Sequence, residues 1–135
     1  GFAVADSLEK VTTALIAGVP PIAGMFVAAE WGGVNDAVPL DGSRLGVLGH
    51  IACYDDARNR HYYPMAFVLD ADDMSWTPPV LLFERSDLGP GESKRPDLSD
   101  VVFPGGMQLD GESLEIFCGA GDAEAHRVVV RSPFG

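Results

Sequence analysis

The sequence predicts an all-β protein of the β-propeller kind, and three observations carry that expectation. Seven short β-rich runs, "GMFVAA", "RLGVLGHIACY", "YYPMAFVLD", "PVLLFE", "DVVFPGGMQL", "SLEIFCG" and "HRVVVRS", alternate with Gly, Pro and Asp turn signals. A pattern also repeats: "VPLDGSRLGVLGH" and "MQLDGESLEIFCG" each read as strand, Leu-Asp-Gly turn, strand, with Asp41 and Asp110 lying 69 positions apart. That spacing fits one propeller blade of roughly 40 to 50 residues plus an inserted loop. A sandwich with two similar hairpins is the alternative. Finally, the strand before each hairpin, "WGGVNDAVPL" or "DVVFPGGMQL", is rich in Gly, as suits an inner strand approached closely by a ligand or a neighbouring backbone.

Taken in order, the N-terminal stretch offers one helix, with Asp6 or Ser7 as its cap and a run through Ile16 that ends before Pro20-Pro21. Val11, Thr12 and Thr13 weaken that expectation because β-branched side chains lose rotamer freedom in a helix. Candidate blades then cover about 24–85 and 98–134 within one partial propeller domain spanning 1–135. Each contains an Asp-Gly turn, expected to be a two-residue hairpin with both central residues at positive φ. Between the blades, "LGPGESKRPDLSD" is polar and holds two prolines and two glycines. It reads as an ordered loop, centred on 86–97, rather than a linker between domains.

Composition excludes several function classes. Net charge is −11, from 20 acids against 9 Lys and Arg, so a nucleic-acid backbone would be repelled and no basic stripe is available to it. No apolar stretch approaches the roughly 20 residues of a membrane span. No membrane partner is expected. The opening residues show no signal-peptide pattern and no initiator Met. Cys53 and Cys118 have neither metal-ligand nor disulfide-framework spacing, and read as reduced apolar residues of a cytoplasmic protein.

No nucleophile elbow, P-loop or zinc-protease motif is present, and His50, His61 and His126 lack metal-ligand spacing, so neither metal nor cofactor is expected. His50 ends the strongly apolar run "LGVLG", where a polar ring must find a partner or a pocket. Asp122 follows Gly119 and Gly121 at what reads as the matching corner of the second hairpin. Each alone is most simply structural; together, at equivalent corners of two repeats, they point to a shared site. Lys94 and Arg95 are positive charges in an acidic chain and read either as a salt-bridged loop or as anion recognition, for which Arg supplies a planar fork. In "NRHYYPM", strand alternation allows at most one of Tyr62 and Tyr63 to face a site. Trp31 and Trp76 suit either sugar stacking or a core.

These same residues carry a family resemblance. From about Ala23 to Phe134, "WGGVNDAVPLDGSRLGVLGHIACYDD", "RHYYPMAFVLD" and "SKRPDLSDVVFPGGMQLDGESLEIFCGAGDAEAHR" resemble glycosyltransferase family 108, the β-1,2-mannosyltransferases and phosphorylases. More distantly, "VVFPGG" followed by "CGAGD" is similar to the ending of the glycoside hydrolase family 130 mannoside phosphorylases. The resemblance implies a five-bladed β-propeller with a sugar site in its central funnel. It further implies that His50 and Tyr62 help hold phosphate and sugar, and that Asp122 binds substrate. Lys94 and Arg95 of "KRPDL", with Asn35 and Asp36 of the "GGVN" run, would contact substrate or anion. Where the phosphorylases place a Tyr before their Gly-Ala, this chain has Phe117-Cys118, which removes a hydroxyl.

The general acid of these enzymes is an Asp on an earlier blade, with no match in this chain, and is expected upstream of Gly1. Two to three blades of a longer protein, carrying half of an active site, are therefore expected. Implied partners are a mannose-containing oligosaccharide and phosphate or a sugar phosphate, and the implied chemistry is transfer or phosphorolysis of β-1,2-linked mannosides. Two alternatives remain at this stage. One is a hydrolase of the same fold, which would need a second carboxylate as base. The other is a non-catalytic carbohydrate-binding or interaction module.

Overall fold

The computed structural model describes all of residues 1–135 and is built mainly of strands. In order these are β1 (Glu30–Pro39), β2 (Arg44–Tyr54), β3 (Arg60–Asp70), β4 (Val80–Leu81), β5 (Asp100–Asp110), β6 (Ser113–Ala120) and β7 (Glu124–Arg131). They form two antiparallel meanders. The first is β1-β2-β3, with the short β4 paired to β3; the second is β5-β6-β7. The meanders join through a brief parallel pairing of β3 with β5, His61 opposite Asp100 and Tyr62 opposite Val101.

Both expected hairpins form, but their turn geometry differs from the expectation. Only the glycines are left-handed there, Gly42 at φ 55° and Gly111 at φ 57°, while Asp41 and Asp110 keep negative φ. In the second hairpin Asp110 pairs with Ser113 and leaves Gly111-Glu112 as the loop, so glycine occupies the first central position. Two consecutive left-handed residues occur instead between β6 and β7, at Gly121 (φ 59°) and Asp122 (φ 55°), where the Ala123 N–H donates to the Ala120 carbonyl at 3.1 Å.

Several other elements depart from the sequence pattern. "GMFVAA" is not a strand: no ladder partner lies beside it, and Met25 and Phe26 pack onto the outer face of the first meander, against a cluster of Val47, Met65, Phe67 and Leu69. The N-terminal helix is split. A 3-10 turn covers Leu8–Lys10 and α1 covers only Thr13–Gly18, capped by Thr12 Oγ1, which accepts from the Leu15 N–H at 3.2 Å. Val11 and Thr12 stay extended, as β-branched residues prefer. Of "PVLLFE", only Val80–Leu81 pairs; Phe83 turns into the core.

Pro64 sits inside β3 without breaking it. Its carbonyl accepts from the Leu82 N–H at 3.0 Å on the β4 side, so the missing proline donor faces the barely paired edge and the ladder to β2 loses nothing.

The main core lies between the meanders. Leu48 and Ala66 of the first meet Val102, Leu114, Ile116 and Cys118 of the second, closed by Phe83 and Phe134. Each large apolar side chain buried there contributes on the order of 1.5–3 kcal/mol. Phe134 lies flat on Gly46, where a β-carbon would come within 2.9 Å of the ring. Leucines and valines at alternate strand positions, together with that glycine, thus fix how the meanders face each other.

Candidate site between the two meanders

β1 carries one residue too many for its partner. Its register against β2 slips between Val34 and Asp36, and Asn35 is the extra residue. Such a bulge re-aims side chains on either side of the irregularity. Asn35 Oδ1 reaches His50 Nδ1 on β2, at 2.8 Å. Asp36 turns toward the second meander, where Oδ2 accepts the Met107 N–H of β5 at 2.9 Å while Oδ1 accepts the Ala37 N–H at 2.8 Å. Asp36 therefore ties the two meanders together, with both carboxylate oxygens occupied by backbone donors.

Around His50 an aromatic cluster assembles from four strands. Its ring stacks on Tyr62 of β3, centroids 5.6 Å apart and planes 22° from parallel, and lies 4.7 Å from Phe103 of β5. Trp31 of β1 donates its indole N–H to the Tyr62 hydroxyl at 3.2 Å and leans on Tyr54 at 4.9 Å between centroids. Gly33 lies directly opposite His50, and a β-carbon there would make ordinary van der Waals contact with Cε1 at 3.5 Å. Burial lowers the His50 pKa below its ordinary 6.5, and no charged neighbour counteracts this.

A cationic edge borders the aromatic corner. Arg58 and Arg60 lie over the Tyr54 ring at 5.1 and 5.6 Å, distances at which a guanidinium is attracted to the ring face. Arg60 also contacts Asp97, and Arg95 grips the same carboxylate with two hydrogen bonds of 3.0 Å. The Arg95 fork is thus spent on Asp97 and holds that carboxyl below the usual range. Lys94 is exposed and joins the structure through its backbone N–H, which donates to the Gly121 carbonyl at 2.8 Å. Its ammonium makes no ion pair.

The alternation of Tyr62 and Tyr63 holds in space. Tyr63 points the other way and donates to Asp100, whose Oδ2 also lies 2.6 Å from His61 Nδ1. Burial together with the Asp100 hydrogen bond pushes the Tyr63 phenol pKa up, and Asp100 raises that of His61. His126 meets Glu124 at 3.0 Å. Glu124 in turn accepts from Arg85 at 3.0 Å and from the Glu92 N–H at 2.9 Å, pinning the 86–97 loop to the second meander.

No hydrogen bond or ion pair joins Asp122 to His50. His50 lies inside β2, four residues before its end, whereas Asp122 lies beyond the end of β6, exposed and without a hydrogen bond. The repeat was misaligned because β2 continues to Tyr54: its closing turn, where the Asp55 N–H meets the Asn59 carbonyl at 3.1 Å, is the true counterpart of the Asp122 turn. In the Leu-Asp-Gly repeat the counterpart of His50 is Gly119.

Asn35, His50 and Tyr62 are thus brought together, Asp36 lies beside them in a tie, and Lys94, Arg95 and Asp122 gather at the loop and the β6–β7 turn. Sequence reasoning passed over Phe103 and Tyr54. Tyr54 could have been found by alternation from His50 through Ala52, while Phe103 carries no local signal. The corner presents aromatic faces beside neutral hydrogen-bonding groups, an arrangement suited to a polar ring such as a sugar. No three His, Cys, Asp or Glu side chains converge as a metal set. No helix is long and apolar enough to cross a membrane.

Three solved structures share this architecture. A mannose phosphorylase from Leishmania mexicana, in complex with phosphate ion, matches with a TM-score of 0.88 and 28% identity over 98% of this chain and 43% of its own. A hypothetical protein from Leishmania major matches with a TM-score of 0.86 and 29% identity, over 98% and 44%. A GDP-Man-dependent mannosyltransferase from Leishmania mexicana shares the fold, with a TM-score of 0.86 and 24% identity, over 98% and 44%. This chain spans less than half the length of each. No curated protein matches it. A family model described as protein of unknown function DUF1861 matches residues 1–135, and the chain belongs to that family.

Proposed function

We propose that this chain forms two blades of a five-bladed β-propeller of the glycosyltransferase family 108 type, acting by transfer or phosphorolysis on β-1,2-linked mannosides. One observation carries the reading: the corner in which His50 stacks on Tyr62 beside Asn35, on a chain 28% identical over 98% of its length to a mannose phosphorylase. Neutral donors and acceptors with flanking aromatics bind a sugar ring. The nearby Arg58 and Arg60, with Lys94 at the loop, supply the positive potential that a phosphate or sugar phosphate needs.

In phosphorolysis a phosphate oxygen attacks the anomeric carbon, the bond to the glycosidic oxygen breaks, and a general acid delivers the proton to the departing oxygen. Residues 1–135 would contribute the binding half of that machinery. The acid is assigned to an Asp outside them. Asp122, Lys94 and Arg95 are then placed at the substrate rim rather than beside the reacting bond.

The test incubates the full-length gene product with mannose 1-phosphate or GDP-mannose plus mannose acceptors, and separately with β-1,2-mannan plus phosphate. Chain extension or phosphate-dependent release of mannose 1-phosphate is expected. Hydrolysis without phosphate would replace the reading with that of a glycosidase. Binding of mannosides with no turnover from any donor would replace it with a carbohydrate-binding module.

A further inference from the structure

Trp76 is the tryptophan that the aromatic cluster at His50 does not use. It lies between β3 and β4, bridged to Leu69, at the end of the first meander remote from His50. Arg44, which starts β2 opposite Asp70, precedes His50 by six residues, or about 20 Å of strand. A cavity of about 530 Å³ opens at this end, lined by Trp76 together with Arg44, Asp70, Ser75, Thr77 and Pro133. The backbone on both sides of Trp76 is pinned to β3. Asp70 N–H donates to the Ser75 carbonyl at 2.9 Å, Thr77 N–H donates to the Val68 carbonyl at 2.9 Å, and Thr77 Oγ1 accepts the Val68 N–H at 2.9 Å. Part of the indole packs on the cluster of Val47, Met65, Phe67 and Leu69, and the rest lines the cavity. Trp31 spends its N–H on Tyr62, but that of Trp76 meets no protein acceptor. Glu115 Oε1 is the one buried side-chain polar atom without a partner, so the Trp76 N–H is open to water. Arg44 pairs through Nε with Asp41 at 3.2 Å and donates from Nη2 to the Phe134 carbonyl at 3.4 Å, which leaves Nη1 unengaged.

We infer that this cavity is a second carbohydrate-binding site, where Trp76 and Arg44 hold a neutral oligosaccharide at a distance from the His50 corner. The charges around it select the ligand. Arg44 is the one cation lining the cavity; Asp41 and Asp70 flank it, and Asp72 and Asp73 stand in the adjoining turn, so a phosphate would meet more negative charge than positive. A wholly apolar ligand would cover Arg44 and Asp70 without pairing them. A sugar ring satisfies both surfaces: its C–H face lies on the indole, and its hydroxyls meet Arg44 Nη1, the indole N–H and the exposed Ser75 hydroxyl. The volume falls within the roughly 300–1,000 Å³ of small-molecule sites, and the pinned backbone leaves little ordering to be done on binding. A chain held here keeps its other units at raised local concentration near the same molecule. That the sugar is a mannoside rests on the proposed function; that it is a neutral sugar does not.

The experiment is NMR of the full-length gene product, following the Trp76 indole N–H and the Ser75 and Thr77 amides, with β-1,2-mannotetraose alone and inorganic phosphate alone as probes. Mannotetraose should move all three resonances saturably, and phosphate should move none. Trp76→Leu keeps apolar volume but removes the ring, and Arg44→Gln removes the guanidinium. Each should weaken mannotetraose binding, read at the Ser75 and Thr77 amides, by about tenfold. Wild-type resonances that stay still with mannotetraose, or that move with phosphate alone, overturn the inference, and neither readout depends on a variant folding. A response with unchanged affinity in both folded variants is transmitted from another site and overturns it as well. Mannoside turnover with no movement at Trp76 would sink this site and leave the proposed function standing; movement at Trp76 with no mannoside chemistry would sink the proposed function instead.

Discussion

Replacing Asp36 separates a structural tie from a ligand contact. Its carboxylate accepts the Met107 N–H at 2.9 Å across the two meanders and the Ala37 N–H at 2.8 Å within β1. A hydrogen bond to a charged group contributes roughly 1.5–3 kcal/mol, and an N–H stranded away from water costs about 1–3 kcal/mol. Ala37 is exposed, so its N–H regains water and little is lost there. Met107 is half-buried in the junction and recovers less. Asp36→Ala should therefore destabilise the protein by about 2 kcal/mol, most of it from the Met107 bond. Asp36→Asn retains one carbonyl oxygen for Met107, loses the negative charge and turns an amide N–H₂ toward Ala37, which should cost about half as much. Urea unfolding reads both as a lowered midpoint at unchanged slope, since the surface exposed on unfolding stays the same. If Asp36→Ala falls within about 0.5 kcal/mol of wild type, the range of an ordinary surface change, the tie is not what holds β1 against β5. A weakened mannoside affinity with unchanged stability would return Asp36 to the ligand contacts.

Two further substitutions probe the periphery of the site. Gly121 is left-handed, and a β-carbon on it would meet the Glu92 carbonyl at 2.8 Å, so Gly121→Ala combines backbone strain with displacement of the loop that presents Lys94. Faster proteolysis within 86–97, with a loss of about 1–3 kcal/mol, is expected; a variant as resistant as wild type would show that the loop is held elsewhere. His61 gains Asp100 in the folded state, at 2.6 Å, which raises its pKa above the ordinary 6.5. The raised value means that its stabilisation is complete below pH 6.5 and is lost as pH rises through the folded pKa. Asp55, Asp100 and Tyr63 are the titratable groups around it. The stability difference between wild type and His61→Gln should therefore shrink between pH 6 and pH 9 in denaturant titrations, and a difference that grows with pH would contradict the pairing.

The strands and hairpins were legible because period-two alternation and Gly-centred turns are local signals. "GMFVAA" was misread because its composition is that of a strand, while the absence of a neighbour to pair with is not written locally. The N-terminal helix was overextended because the capping signal at Asp6 and Ser7 is real in type, yet Thr12 outcompetes it once Val11 and Thr12 remain extended. His50 and Tyr62 stood out as polar groups on apolar strands. Phe103 could not stand out, because an aromatic in a strand is ordinarily core, and only its 43% exposure beside His50 marks it as something else.

By itself, then, the sequence determined where chain segments extend and turn, that they alternate inside and outside, and that the chain is acidic with few cations to place. Alternation, turn chemistry and net charge depend on residues close in sequence or on none in particular. Only the tertiary structure decided which side chains meet. The bulge sends Asn35 to His50 and Asp36 to Met107, and β2 runs on past His50 to Tyr54. The reason is physical: a one-residue slip in register exchanges the faces of a strand, and what sets that register is the packing of one meander on the other.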